Sequence, residues 1–225
     1  MSMSDKDKER LLFQYQNFRK IQGDGDAGHD PQGDRGQMED RTNYCAGFFS
    51  PETCPKGVCV GAGDGEEVLC FTEKGFDCIG VTMSERNIEE AQKRYGVNLI
   101  WGDMHFMDLA PRQFDFVFSS HSFEHSVFPL FAAIEWTRLL KQGGYLFVEY
   151  PDLSAPQEQS AMTLHHVSNM GPGHIEHLFK KCGMVLYDFT PFSWPNAPEW
   201  TMNRFMFRRD GDFIDDIKRL VTGEF

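Results

Sequence analysis

Apolar and polar positions alternate along the chain in two distinct periods. Short apolar runs at 58–61, 77–82, 98–101, 114–119 and 144–150 have the length and the β-branched or aromatic content of buried strands. Between them, 66–74, 85–94 and 129–141 carry apolar residues at helical spacing. That βαβα order predicts an α/β fold with a parallel sheet covered by helices on both faces. After Pro151 the order changes. His174 to Cys182 reads as a helix closed by Gly183, Met184 to Phe189 and Thr201 to Arg208 as strands, and Asp212 to Val221 as a last helix. Upstream, Asp5 to Ile21 sets Leu11, Leu12, Tyr15 and Phe18 at helical spacing, as a docking face would. Residues 22–41 are rich in Gly, Asp and Gln and poor in apolar side chains, which predicts a flexible linker or loop. The expected organisation is an N-terminal helix (1–21), that linker (22–41) and one catalytic-sized domain (42–225).

The first apolar run breaks at once into glycine. Val58 to Gly65 reads VCVGAGDG, and Gly61, Gly63 and Gly65 force a turn poor in side chains before the helix from Glu66. Such a turn lets a ligand approach the backbone and aims helix N–H groups at its polar end, so a nucleotide-like cofactor is the first expectation. The spacing is G-x-G-x-G. The dinucleotide fingerprint is G-x-G-x-x-G, which disfavours an NAD-linked oxidoreductase.

Composition narrows the partners. With 34 acidic against 22 basic residues the formal net charge is −12. That balance argues against nucleic acid, whose phosphates want a basic face. No apolar run approaches the roughly 20 residues that span a bilayer, and MSMSDKDKER lacks the apolar core of a signal peptide. The six cysteines form no C-x-x-C pair and read as reduced thiols. A cytoplasmic protein without membrane or nucleic-acid partners is expected; the oligomeric state is not written in the sequence.

Five segments in order resemble the class I S-adenosylmethionine (SAM)-dependent methyltransferases: VCVGAGDG, GFDCIGVTMSERNIEEAQKRYG, NLIWGDMHFMDL, FDFVFSSHSFEH and LLKQGGYLFVEYPD. The resemblance implies a Rossmann-like, seven-stranded, mostly parallel sheet with an antiparallel last strand, and SAM as cofactor. It implies that Gly61, Ala62, Gly63, Asp64 and Gly65 line the methionine end. Thr82 and Met83 would lie at the ribose, Asp103 and Met104 at the adenine, and Ser119 near the sulfonium. Two positions depart from the usual pattern: Cys59 stands where most members have an acid, and Thr82 where most have Asp or Glu. GVTMSERN is similar to the cyclopropane-synthase-like branch, in which Thr is normal and the later amide, here Asn87, helps at the adenosine. Asp64 is open to two readings, an acid facing the cofactor's ammonium or a local turn residue.

Histidine supplies the candidate bases. His121 lies just past the fourth strand, and His165 and His166 follow the fifth, where this family places substrate-facing loops. A neutral imidazole there would take a proton from a hydroxyl or amine nucleophile. HSFEH also fits the H-x-x-E-H metallopeptidase signature, which requires a helix; here it follows a strand, so no metal is expected. The function expected is methyl transfer from SAM to a small molecule. The alternative is a methyltransferase-like binding protein without turnover, motivated by Cys59 and Thr82.

Overall fold

The computed structural model describes residues 4–25, 35–152, 166–168, 170–194 and 197–211. Two helices, α1 (Asp5–Gly25) and α2 (Arg35–Ala46), precede the sheet. Then follow β1 (Lys56–Val60), α3 (Glu66–Glu73), β2 (Asp77–Thr82), α4 (Glu85–Tyr95), β3 (Leu99–Trp101) and β4 (Phe114–Ser120). A 3₁₀ turn, Phe123–His125, leads to α5 (Pro129–Leu139), β5 (Leu140–Pro151), α6 (Pro172–Lys181), β6 (Met184–Trp194) and β7 (Ala197–Arg209). The seven strands lie in the order β3-β2-β1-β4-β5-β7-β6. β1 is parallel to β2 and β4, whereas β7 runs antiparallel to both β5 and β6. The chain winds one way from β1 through β2 to β3, then returns to start β4 on the other side of β1. That reversal opens a crevice at the carboxyl ends of β1 and β4, where open α/β sheets bind ligands.

Strand alternation divides the core between the two faces of the sheet. Val58, Val60, Val117, Leu146 and Val148 point one way, against Trp136 of α5 and Phe179 of α6. Cys59, Phe116, Phe118 and Phe147 point the other way, against Phe71 of α3 and Phe49. The Phe118 and Phe147 rings stack with centroids 4.7 Å apart. Cys59 therefore occupies a core position, its sulfur 3.6 Å from that of Cys78.

The observed elements follow the predicted ones closely through the sheet and differ at its flanks. The stretch 22–41 was expected as a linker or loop. Its described ends, 22–25 and 35–41, are helical, and residues 26–34 lie outside the described residues. The polar character of 35–41 is used in ion pairing: Arg35 bridges Glu39 one turn on, and Asp40 and Arg41 reach charged groups of the sheet. The described parts of TPFSWPNAPEW belong to a long β6–β7 hairpin. Pro191 is accommodated because β6 is an edge strand, where a missing N–H costs no ladder bond. The helix expected at Asp212 to Val221 lies outside the described residues. Among the described residues, no helix is long and apolar enough to cross a membrane.

One buried carboxylate ties these layers together. Glu149, near the end of β5 and fully buried, accepts from Arg41 Nε of α2 at 2.5 Å and from Arg204 Nε of β7 at 2.5 Å. Arg204 also donates to Asp40 at 2.6 Å. Burial alone would raise the Glu149 pKa. His121 and the two guanidinium groups outweigh it and hold the carboxyl down at about 2, against 4.5 for the free side chain. A lowered pKa of this kind stabilises the fold above about pH 4.5 and is lost as pH falls toward about 2. Glu149→Gln is expected to cost about 3–5 kcal/mol at pH 7, because it strands two buried cations. Urea unfolding at stepped pH checks this: the wild type should weaken steeply from about pH 4.5 to 2, and the variant should show a shallower slope.

Candidate active site

The glycine turn sits at the carboxyl end of β1, and its glycines have different reasons to be glycine. Gly61, Gly63 and Gly65 have φ of 74°, 47° and 91°, the left-handed region that side chains avoid. A Cβ on Gly65 would come within 3.1 Å of Ala91 and Val97, so this residue lets α3 start close against α4. A Cβ on Gly63 would meet nothing within 4 Å: its backbone borders open space. Val81 of β2 pins the turn from below, its carbonyl accepting from Gly61 N at 3.0 Å and Ala62 N at 2.9 Å. Asp64 accepts from Glu66 N at 3.4 Å and lies 3.9 Å from Arg94, which matches its local turn reading. Next to it, burial raises Glu67 to about 7 although Arg41 opposes the shift from 3.7 Å.

The expected adenosine side is formed by the ends of β2 and β3. Thr82 is buried and its Oγ1 accepts from Ser84 N at 3.3 Å; Ser84 in turn caps α4 by accepting from Asn87 N at 3.2 Å. Met83, Asp103 and Met104 line a cleft of about 240 Å³, together with His105 and His125. The outer wall of that cleft is α1, through Tyr15, Phe18 and Arg19. Asp103 is saturated. Its Oδ2 accepts from the Tyr15 hydroxyl at 2.6 Å and faces Arg19 Nε at 3.1 Å, while Oδ1 accepts from His105 N at 3.0 Å and lies 2.7 Å from His105 Nδ1. Burial would raise the Asp103 pKa, but the His105 and Tyr15 hydrogen bonds dominate together and lower it. Arg19 also lies over the Trp101 ring at 4.9 Å.

At the end of β4 the two serines differ. Ser119 donates to the Val60 carbonyl at 3.0 Å, so it braces β1 against β4. The buried Ser120 hydroxyl has no hydrogen-bond partner among the described residues. His121 follows with a φ of 50°, unusual for a residue with a side chain, and its N–H donates to the Glu149 carbonyl at 2.9 Å. Its ring lies between two carboxylates, Nε2 3.4 Å from Glu149 and Nδ1 3.7 Å from Glu124. Glu124 is buried, which raises its pKa to about 7 against the opposing charge of His121. His166 meets His125 edge-on at 4.9 Å, and His165 lies outside the described residues. The glycine turn, Thr82, Met83, Asp103 and His121 all lie at or just past the carboxyl ends of β1 to β4, and of these Met83 and Asp103 line the cleft under α1. Sequence reasoning missed Tyr15, Arg19 and His105 as partners of Asp103. Only the apolar stripe of α1 hinted that this helix docks.

The comparisons with known proteins bear on this crevice. Residues 58–148 match the methyltransferase domain family. That match runs from β1 to β5 and includes the glycine turn. Solved structures agree on the fold. A SAM-dependent methyltransferase from Archaeoglobus fulgidus superposes with a TM-score of 0.64 at 16% identity, covering 79% of this chain and 95% of that one. The PH0226 protein from Pyrococcus horikoshii gives 0.66 at 17% identity, covering 80% and 93%. The [4+2]-cyclase SpnF gives 0.61 at 14% identity, covering 78% and 79%. No curated protein sequence matches the chain.

S-adenosylmethionine is the cofactor that goes with a methyltransferase domain, and two features of the crevice suit it. The open backbone at Gly63 is the space a side chain would fill, and the orphan Ser120 hydroxyl offers a polar contact. Gly63→Ala is expected to keep the fold at a cost of about 1–2 kcal/mol, the penalty of a left-handed side chain. Gly65→Ala adds the clash with Ala91 and Val97 and should lower the melting temperature further. Thermal denaturation of the two variants side by side checks the order.

Proposed function

We propose that the methyltransferase domain carries the methyl group of S-adenosylmethionine to a nucleophilic atom of a small molecule. The observation that carries this reading is the Gly61–Gly65 turn, with Gly63 bare toward the crevice at the point where the strand order reverses. When bound, the cofactor supplies an electrophilic methyl on a sulfonium. The chain's own residues supply position. The turn receives the methionine end, Thr82, Met83 and Asn87 the ribose side in the cyclopropane-synthase-like manner, and Asp103 and Met104 the adenine.

His121 is the base in this reading. It stands past the end of β4 with its ring 37% exposed, and Glu149 and Glu124 flank the two ring nitrogens. A proton leaving a hydroxyl or amine nucleophile goes to Nδ1, the nitrogen with the looser carboxylate contact, 3.7 Å from Glu124. Proximity and orientation supply most of the rate. His166 lies beside the same turn and shapes the substrate side. The acidic balance of the chain favours a small substrate over nucleic acid, and a cytoplasmic setting fits its reduced cysteines.

Asp103 favours a second reading. Its oxygens are already taken by Tyr15, Arg19 and His105. A methyltransferase-like binding protein without turnover would have that character. In the enzymatic reading α1 moves aside for the adenine. Calorimetry with SAM, S-adenosylhomocysteine and NAD is expected to show micromolar binding of the two sulfur ligands and none of NAD. Radiolabelled methyl from SAM should then reach a small nucleophile; binding without transfer supports the second reading. If α1 competes with adenine for Asp103, Tyr15→Phe should tighten SAM several-fold, and weaker binding would show that Tyr15 belongs to the closed complex instead.

A further inference from the structure

We propose that Glu124, His125 and His166 form a binding site for one divalent transition-metal ion of the Zn²⁺ type. One ligand atom from each residue lies within 4.8 Å of the other two. Two donors bound at about 2.1 Å to one tetrahedral ion stand about 3.4 Å apart, so side-chain shifts of about 1 Å close the set. Two imidazoles and one carboxylate are the donors that zinc and ferrous iron take, whereas calcium and magnesium want oxygen ligands alone.

Glu124 is the independent sign of a ligand. It is 1% exposed, and among the described residues neither carboxylate oxygen accepts a hydrogen bond from a neighbour. A buried carboxylate in that state is costly unless a cation answers it. The nearest candidate, His121 Nδ1, stands off at 3.7 Å.

The three residues are also held together by main chain. Val167 N and Ser168 N both donate to the Glu124 carbonyl at 3.0 Å, and the Ser168 hydroxyl donates to the Ser126 carbonyl. These bonds strap the segment that carries His166 onto the turn that carries Glu124 and His125. Phe123, next to Glu124, fixes that turn in the core, its ring 5.1 Å from Trp136 and 5.4 Å from Phe179. Three protein donors leave a coordination position for water or substrate. His125 also lines the cleft beneath α1, which puts the site on the wall of the crevice. The inference stands apart from methyl transfer, because the metal alone is the probe.

The test uses the tag-free full chain, reduced and stripped of metal. Zn²⁺ is titrated against a chromophoric chelator, and Co²⁺ replaces it for visible spectra. We expect one equivalent of Zn²⁺ at micromolar affinity or tighter, with Co²⁺ bands of nitrogen and oxygen ligation. Glu124→Gln and His166→Ala should each weaken binding at least tenfold while circular dichroism shows an intact fold. Absence of stoichiometric binding by the wild type overturns the proposal. So do wild-type affinity in either variant and thiolate charge-transfer bands, which would put the ion on cysteine.

Discussion

A carboxylate buried without partners costs several kcal/mol, and Glu149 avoids that cost only because distant parts of the chain converge on it. Arg41 comes from the helix before the sheet and Arg204 from the antiparallel strand that nearly closes it. Neither cation can leave without stranding the other charges. Arg41 further reaches Glu67 in the first turn of α3, so the same knot positions the wall beside the glycine turn. The Glu149 main chain meanwhile holds the N–H of His121, and its side chain lies against the His121 ring. The left-handed backbone of His121 is thus fixed from both sides. Sheet closure and the placement of the candidate base rest on one ionised group.

Asp103 is a second knot with a different character. Its partners on one side, Tyr15 and Arg19, belong to α1, whose Leu11, Leu12 and Phe13 are 47–65% exposed. A helix anchored mainly through one carboxylate and a few rings is held far less firmly than one seated in the core. The energy that fixes α1 is therefore comparable with what a cofactor amine offers the same carboxylate, on the order of 1–3 kcal/mol for a charge-assisted bond. In the proposed reading, cofactor affinity and α1 docking are coupled through Asp103.

Much of the sheet was legible because its signals are local. Strand runs at 58–60, 77–82 and 114–119 are mostly buried and largely apolar, and Gly65, Gly75 and Gly96 stand where their helices begin or end. The antiparallel last strand came from the family resemblance, since periodicity carries no strand direction. The helical ends of 22–41 were not legible. Their charges look like those of a solvated linker until Glu149 and Arg204, more than a hundred residues away, are placed beside them. Glu124 and His125 were visible as a motif, but His166 joins them only through the carbonyl of Glu124. Long-range polar pairing leaves no period in a sequence.

Cys59 shows how packing and chemistry constrain each other here. Its side chain points into the face built from Phe71, Phe118 and Phe147, where an acid would be buried among aromatic rings. In this chain the acids beside the turn are instead Asp64 and Glu67, both on the helix side of the crevice. An ammonium arriving at the turn would meet its negative charge there. Burial holds the Glu67 pKa near 7, so its proton is easily lost to an approaching cation, and binding of that cation would lower the pKa further. The acids beside the turn thus come from the turn itself and from α3, not from β1.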